Sequence, residues 1–140
     1  MRIDRDVVTR SFEVVELLDL VAAIVSELEA RNYRVTRINE IDNVHEQPER
    51  GLAGKLSFEH YKIIEFCNLN SCALLISADL VAGLFMPVRF IAYRGVGDAK
   101  AHVSFLRPTG FAALFEAKGV MEVAVELERD MTGVLEDLFF

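Results

Sequence analysis

Residues 61–75 read YKIIEFCNLNSCALL, and they join an apolar strand to a helix at one residue. The part up to Cys67 has the β-branched and aromatic residues of a buried strand. Asn68 is a preferred helix N-cap residue, and the apolar residues after it suit the first turns of a helix. Cys67 and Cys72 are the only cysteines of the chain, and they flank this junction. We therefore interpret the remaining sequence as elements that pack around a strand-to-helix junction at Asn68.

Alternating apolar residues and turn signals predict five strands. They are Val7–Phe12 as an edge strand, Tyr33–Ile41, Phe58–Cys67, Val88–Arg94 and Ala101–Leu106. Gly95 to Asp98 is predicted to be the turn of a hairpin. Residues 42–57 contain Pro, Gly and several charges, and they are predicted to be a loop.

Spacing of three and four residues predicts the helices. The first helix is expected to be capped by Ser11, to end near Arg31-Asn32, and to carry one apolar stripe. That stripe consists of Val14, Leu17, Leu18, Val21, Ile24, Val25 and Leu28. The second helix is expected to follow Asn68 and to end at Gly83. A helical turn at 111–117, a kink at Lys118-Gly119 and a final helix over Val120–Leu138 complete the chain.

The order of elements is β-α-β-β-α-β-β-α. Hairpins dominate this order, so we predict an α+β fold with a largely antiparallel sheet and the helices packed on one face. A length of 140 residues suits a single domain, 1–140. The apolar content is 52%, which suffices for a core without a disulfide or a metal.

The net charge of −7 argues against binding to nucleic acid or to an anionic membrane, because both need a basic surface. The sequence lacks a run of about 18 apolar residues, and its charged N-terminus is unlike a signal peptide. These features predict a cytoplasmic protein, in which the cysteines are expected to be free thiols.

Cys67 and Cys72 are the candidate reactive groups. With Asn68 as N-cap they occupy the N′ and N4 positions, which meet in a hydrophobic staple. One interpretation is that two small apolar side chains pack at the start of the helix. The other is that Cys67, beside the positive end of the helix dipole, acts as a nucleophile, a sulfur carrier or a redox sensor. A metal site is not predicted, because Cys-x4-Cys has no second pair and the three histidines are scattered.

The sheet offers a second candidate site. On the hairpin strands, Val88, Phe90 and Ala92 are predicted to face the helices together with alternate residues of the return strand. The opposite side carries a mixture of apolar, aromatic and polar residues. These are Arg89, Ile91, Tyr93, His102, Ser104 and Leu106. Such a surface suits a homodimer contact, a shallow ligand groove or an ordinary half-exposed sheet. A set of strand cations fits either an anionic ligand or surface ion pairs. They are Arg37, Arg89, Arg94 and Arg107.

Three short motifs resemble the domain-of-unknown-function 302 family. They are Phe66-Cys67-Asn68-Leu69, Met86-Pro87-Val88 and Arg107-Pro108. The resemblance extends from about Ser11 to Leu138. It implies a compact α+β fold, commonly dimeric, and no established activity. Leu69 replaces a family proline, Val88 replaces a second family cysteine, and Cys72 is additional, so a two-thiol role at the missing position does not transfer directly.

Glycine-rich phosphate loops, nucleophile elbows, zinc helices and paired-carboxylate motifs are absent from the sequence. We therefore predict a noncatalytic homodimer that binds a small-molecule or anionic ligand, or another protein, without a cofactor. The candidate ligand-binding residues are Cys67, Asn68, Arg89, Tyr93 and His102. The alternative is a thiol-dependent protein that uses Cys67, with Cys72, for sulfur transfer or redox sensing. A weaker alternative is an enzyme that binds an anion and uses His60 or His102 as acid and base.

Overall fold

The structure, a computed structural model, describes residues 1–13, 16–52 and 54–140. Within these residues, five strands form one antiparallel sheet in the order β1-β5-β4-β3-β2. The strands are β1 Val7–Phe12, β2 Arg34–Glu40, β3 Phe58–Cys67, β4 Val88–Gly95 and β5 Ala101–Leu106. All five strands were predicted, and β1 is an edge strand as expected. The α+β class and the antiparallel sheet are therefore confirmed.

In the part of the chain that the structure describes, five α-helices accompany the sheet. They are α1 Ile3–Asp6, α2 Leu17–Ala30, α3 Leu69–Ala78, α4 Pro108–Ala112 and α5 Lys118–Glu136. The helices cover the side of the sheet to which Phe66, Phe90 and Val103 point, and these side chains are fully buried. The neighbouring residues of each strand point to the other side, which we call the outer face. On β4 and β5 the outer face carries Arg89, Ile91, Tyr93, His102, Ser104 and Leu106, as predicted.

The start of α2 was predicted wrongly. Ser11 is paired with His102 inside the sheet, and the β1–β5 ladder continues to Phe12. Its backbone is thus committed to a strand, and α2 begins at Leu17 after Glu16. The buried stripe of α2 runs through Leu17, Leu20, Val21, Ile24 and Leu28. Leu18, placed on the stripe by the sequence, is exposed, and Val14 lies outside the described residues.

The end of α3 was also predicted wrongly. The helix stops at Ala78, and Asp79 begins a 3₁₀ helix, Leu80–Phe85, by accepting a hydrogen bond at Oδ1 from the Val81 N–H (2.9 Å). Gly83 therefore lies within this 3₁₀ helix instead of ending α3. The residues on both sides of Asp79 are apolar, so the hydrophobic pattern does not show where α3 ends and the 3₁₀ helix begins.

Three further boundaries differ from the predictions. The segment predicted as a loop at 42–57 contains two 3₁₀ helices, Ile41–Glu46 and Pro48–Arg50. They were not predicted because helical turns this short show no hydrophobic period. Helix α4 begins at Pro108, three residues before the helical turn predicted at 111–117. Proline is tolerated there because the N–H of the first helical residue has no partner within the helix. Gly119 lies in the first turn of α5 and is not a kink.

The final helix has a regular buried stripe. It consists of Val120, Ala124, Leu127, Met131, Val134 and Leu135. Leu138 is buried in the core, and the ring of Phe140 meets that of Phe12 at 6.0 Å.

Candidate functional site

The junction between β3 and α3 forms as the sequence predicts. Asn68 is the N-cap: its Oδ1 accepts hydrogen bonds from the N–H groups of Asn70 (3.0 Å) and Ser71 (3.3 Å). Its Nδ2 donates to the carbonyl of Asn32 (3.2 Å). Asn32 has a left-handed φ of 65°, so one side chain ties the start of α3 to the turn after α2. The Asn68 amide thus fixes the backbone beside both cysteines.

The two thiols lie against each other at this junction. Both cysteines are free and half-buried. Burial, followed by the interaction with the neighbouring Cys67 thiol, raises the pKa of Cys72 to about 12. Cys72 therefore keeps its proton at neutral pH. The staple geometry predicted for the N′ and N4 positions is thereby present as a pair of contacting thiols.

Cys67 also borders an open depression. It has a volume of about 350 Å³ and is lined by Asn32, Arg34, Cys67, Asn68, Leu69 and Asn70. Arg34, the Cα partner of Cys67 on β2, brings a cation to this surface. A small electrophile or anion can reach the depression from solvent.

The predicted ligand-binding residues divide between two ends of the sheet. Arg89 pairs with Glu65, two residues before Cys67, and so belongs to the junction end. Tyr93 lies at the other end, where its ring stacks on Tyr61 (5.6 Å between centroids) and meets the His102 ring at 5.4 Å. The five residues therefore do not form one site.

His102 has partners that the sequence analysis did not identify. Its Nδ1 is 2.7 Å from Ser11 Oγ, and its Nε2 is 2.6 Å from Asp98 Oδ2. Asp98 lies four residues before His102, at the end of the hairpin turn. This short spacing could have predicted their contact from the sequence. Ser11 reaches the imidazole only through the β1–β5 register, which the sequence does not show.

Hydroxyl groups continue this polar network along the outer face. Ser104 Oγ is 2.7 Å from Thr9 Oγ1 and 3.3 Å from the Tyr93 hydroxyl. Ser104 is buried although it lies on the outer face, since Thr9 and Tyr93 cover it. The end of the sheet around His102 is thus polar and hydrogen-bonded.

A second depression, of about 380 Å³, surrounds a buried ion pair near the end of β2. Lys62 Nζ is 3.0 Å from Asp42 Oδ1 and 3.6 Å from Glu40 Oε1. His60 Nδ1 is 3.5 Å from the other oxygen of Asp42. The charges of Lys62 and Asp42 compensate each other, which allows a lysine to be buried on the helix side of the sheet. We therefore assign this ion pair a structural role.

The surface of α3 and the following 3₁₀ helix is unusually apolar. Its large exposed side chains are Leu69, Leu74, Leu80, Val81 and Leu84. We call these five residues the leucine patch. The sequence pattern predicted a helix here but did not indicate which of its apolar residues are exposed. Asp79 is the only charged side chain among residues 69–85.

Within residues 1–13, 16–52 and 54–140, three metal-ligating side chains do not come together in any one place. The same ranges hold no helix with the length and apolar content needed to cross a bilayer. Of the predicted strand cations, Arg107 lies 3.7 Å from Glu128, as an ion pair, and Arg89 donates to its neighbour Pro87.

The comparisons with known proteins concern the fold. The family model described as "Domain of unknown function DUF302" matches residues 8–138. The crystal structure of an uncharacterized conserved protein DUF302 from Bacillus stearothermophilus has a TM-score of 0.79 with this chain. The match covers 94% of this chain and 97% of that chain at 17% sequence identity, so it shows a shared fold alone. No curated protein matches the chain.

Proposed function

The chain belongs to the DUF302 family, and from that premise we propose that it is a homodimeric binding domain whose copies meet through the leucine patch. The observation that carries the proposal is the exposure of Leu69, Leu80 and Leu84, each at least 80% accessible in the single chain. Large apolar side chains that stay exposed on neighbouring elements are typical of interaction sites in soluble proteins.

The total surface supports a missing partner. The chain exposes 8378 Å² for a mass of 15.8 kDa. The scaling of surface with mass gives roughly 7,300 Å² for a compact monomer of this size. The excess, on the order of 1,000 Å², is similar to the roughly 800 Å² that each partner buries in a standard interface.

Charge favours a second copy as the occupant. Two copies that each carry a net charge of −7 repel each other wherever acidic surfaces meet. Asp79 is the only charged side chain among residues 69–85, so each copy brings a single carboxylate to a contact through the leucine patch. Packing of the leucine patch against the same patch of a second copy gives a two-fold symmetric dimer.

Sedimentation velocity at micromolar concentration tests this proposal. We expect a dimer for the wild type and a monomer for the double variant Leu74→Lys/Leu80→Lys. The matched control Leu18→Lys/Leu114→Lys changes two exposed leucines elsewhere, adds the same charge and should leave the dimer intact. A monomeric wild type, or a dimer that survives in the patch variant, would refute it. Loss of the dimer in Ile91→Lys alone would place the interface on the outer face instead.

A dimer built on the leucine patch leaves the outer face open to solvent. We propose that this face, around Tyr93 and His102, receives the small-molecule ligand expected from the sequence. Stacked Tyr61 and Tyr93 offer an apolar surface beside hydrogen-bonding groups, a combination typical of ligand sites. Titration with ligand libraries, read out by the tyrosine fluorescence of wild type against Tyr93→Leu, is the measurement, and equal responses of both proteins would contradict it.

The contact between the thiols favours a second candidate function, a reversible dithiol sensor in the cytoplasm. In this proposal the Cys67 thiolate attacks hydrogen peroxide, which breaks the O–O bond, leaves a sulfenic acid and releases hydroxide that takes up a proton to become water. Cys72 sulfur then attacks the sulfenic sulfur, loses its proton and expels water, and the disulfide forms. Glutathione reverses the step in a reducing compartment.

Peptide mapping after treatment with peroxide tests the sensor. We expect a Cys67–Cys72 disulfide that dithiothreitol removes, and a sulfenic or sulfinic Cys67 in the Cys72→Ala variant. A Cys67 that stays reduced, or is overoxidised in the wild type without a disulfide, would rule the sensor out.

A further inference from the structure

Ser11, His102 and Asp98 form a continuous hydrogen-bonded series at the margin of the sheet. Ser11 is on the edge strand β1 and His102 is its Cα partner on β5. Ser11 Oγ lies 2.7 Å from Nδ1 of the imidazole, and Asp98 Oδ2 lies 2.6 Å from Nε2. These distances are those expected of a nucleophile, a base and the group that orients the base.

The carboxylate of Asp98 determines where the protons are. Its pKa is lowered, chiefly by the hydrogen bond with His102 and then by the Lys100 N–H, so Asp98 is ionised and can only accept. Nε2 of His102 must therefore carry the proton that is donated to Asp98. This tautomer leaves a lone pair on Nδ1, and Ser11 donates its hydroxyl proton to that lone pair.

The surrounding contacts hold this arrangement in place. Asp98 is fixed by the hairpin turn: its other oxygen accepts from Lys100 N (2.9 Å), and its own N–H donates to the carbonyl of Gly95 (3.1 Å). Gly97, with φ of 77°, supplies the left-handed residue that this turn needs. The Tyr93 ring covers one side of the imidazole, whereas Ser11 is exposed. The base is thus partly shielded and the hydroxyl is accessible.

We propose that Ser11 is an activated nucleophile that accepts an acyl group from a small ester. The serine oxygen forms a bond to the carbonyl carbon while its proton moves to Nδ1 of His102. The bond from carbon to the leaving oxygen then breaks, and the imidazolium returns the proton to the departing alcohol. The oxygen of a water molecule then bonds to the acyl carbon while Nδ1 takes one of its protons. The bond from that carbon to Ser11 Oγ breaks, the imidazolium returns the proton to Oγ, and the carboxylic acid leaves.

This chemistry depends on neither the leucine patch nor the thiols. Ser11 lies on β1, whereas the patch lies on α3 and the 3₁₀ helix after it. A small ester can reach Ser11 without moving a core side chain, because the residue is on an exposed part of the sheet margin. The failure of the dimer proposal would leave this one untouched, and the reverse also holds.

The test is acetylation of the full chain by p-nitrophenyl acetate, with peptide mapping of every acetylated residue at short times. We expect acetyl-Ser11 to form faster than acetyl on the exposed Ser26 of α2, and mapping separates both from acetylated Cys67. His102→Gln should slow acetylation of Ser11 by at least about 100-fold, the usual contribution of a general base. Asp98→Asn should slow it as well, because the tautomer is no longer fixed.

Ser26→Ala is the matched control and should leave the rate at Ser11 unchanged. Circular dichroism of each variant shows whether it is folded, and Asp98→Asn, in an exposed turn, provides the second test should His102→Gln unfold. Acetylation of Ser11 no faster than that of Ser26, or a rate that neither His102→Gln nor Asp98→Asn reduces, would overturn the proposal.

Discussion

Replacing Asn68 by alanine should destabilise the protein by about 2 kcal/mol. The asparagine oxygen accepts two of the N–H groups at the start of α3, and loss of such a cap costs about 1 kcal/mol. The amide nitrogen also donates to the Asn32 carbonyl at 3.2 Å, a bond that contributes about another 1 kcal/mol. Asn68 is half-buried, so water replaces only part of what is lost.

Urea denaturation at equilibrium measures this change. With a slope of about 2 kcal/mol per molar for a chain of this size, the midpoint should fall by about 1 M. Asn68→Ser separates the two contributions, because serine keeps the acceptor for the helix and lacks the donor for Asn32. We expect it to lose about 1 kcal/mol, roughly half of the alanine effect.

The same substitution should also loosen the thiol pair. Cys72 lies on the first turn that Asn68 caps, so fraying of this turn exposes it, and its alkylation by iodoacetamide should accelerate in Asn68→Ala. An alanine variant within about 0.5 kcal/mol of the wild type, or a serine variant as unstable as the alanine one, would refute the reasoning.

Two further predictions concern buried contacts of the chain ends and helices. Asp6 accepts from Arg5 and from the Arg2 N–H, which lowers its pKa from 3.8 to about 2, so its stabilisation is complete above pH 3.8 and disappears as the pH falls toward 2. Acid titration of the unfolding free energy should show the advantage of wild type over Asp6→Asn narrowing in that interval, and a constant difference would contradict the assignment. Gly119→Ala would place a Cβ 2.8 Å from the Ala78 Cβ, where α3 and α5 meet, and should cost about 1–3 kcal/mol in thermal or urea unfolding. Adding Ala78→Gly should recover part of that loss. If the free-energy changes of the two single variants simply add in the double variant, the two positions do not clash.

Residues with a clear local signal were predicted well. The five strands, the hairpin turn and the Asn68 cap depend on alternation, glycine and a side chain that bonds to its own neighbourhood. The contact of Cys67 with Cys72 follows from the same local geometry, since N′ and N4 are separated by one helical turn.

The errors have two sources, contacts with distant segments and local features that hydrophobicity does not report. Ser11 has the composition of a helix cap, but its pairing with His102, 91 residues later, holds it in the sheet. The hydrophobic pattern does not indicate the break of α3 at Asp79. It also does not indicate that Leu80 and Leu84 are exposed, because it shows that a residue is apolar and not which segment covers it. The tyrosine–histidine contact on the outer face needed the β3–β4–β5 register.

By itself, then, the sequence determined the strands, the antiparallel class and the capped junction between β3 and α3, because each depends on residues within a few positions of one another. Only the tertiary structure decided that Ser11 reaches His102 and that Tyr93 lies between Tyr61 and His102 on the outer face. Those features depend on strand order and register, which are set by packing between segments far apart in the chain.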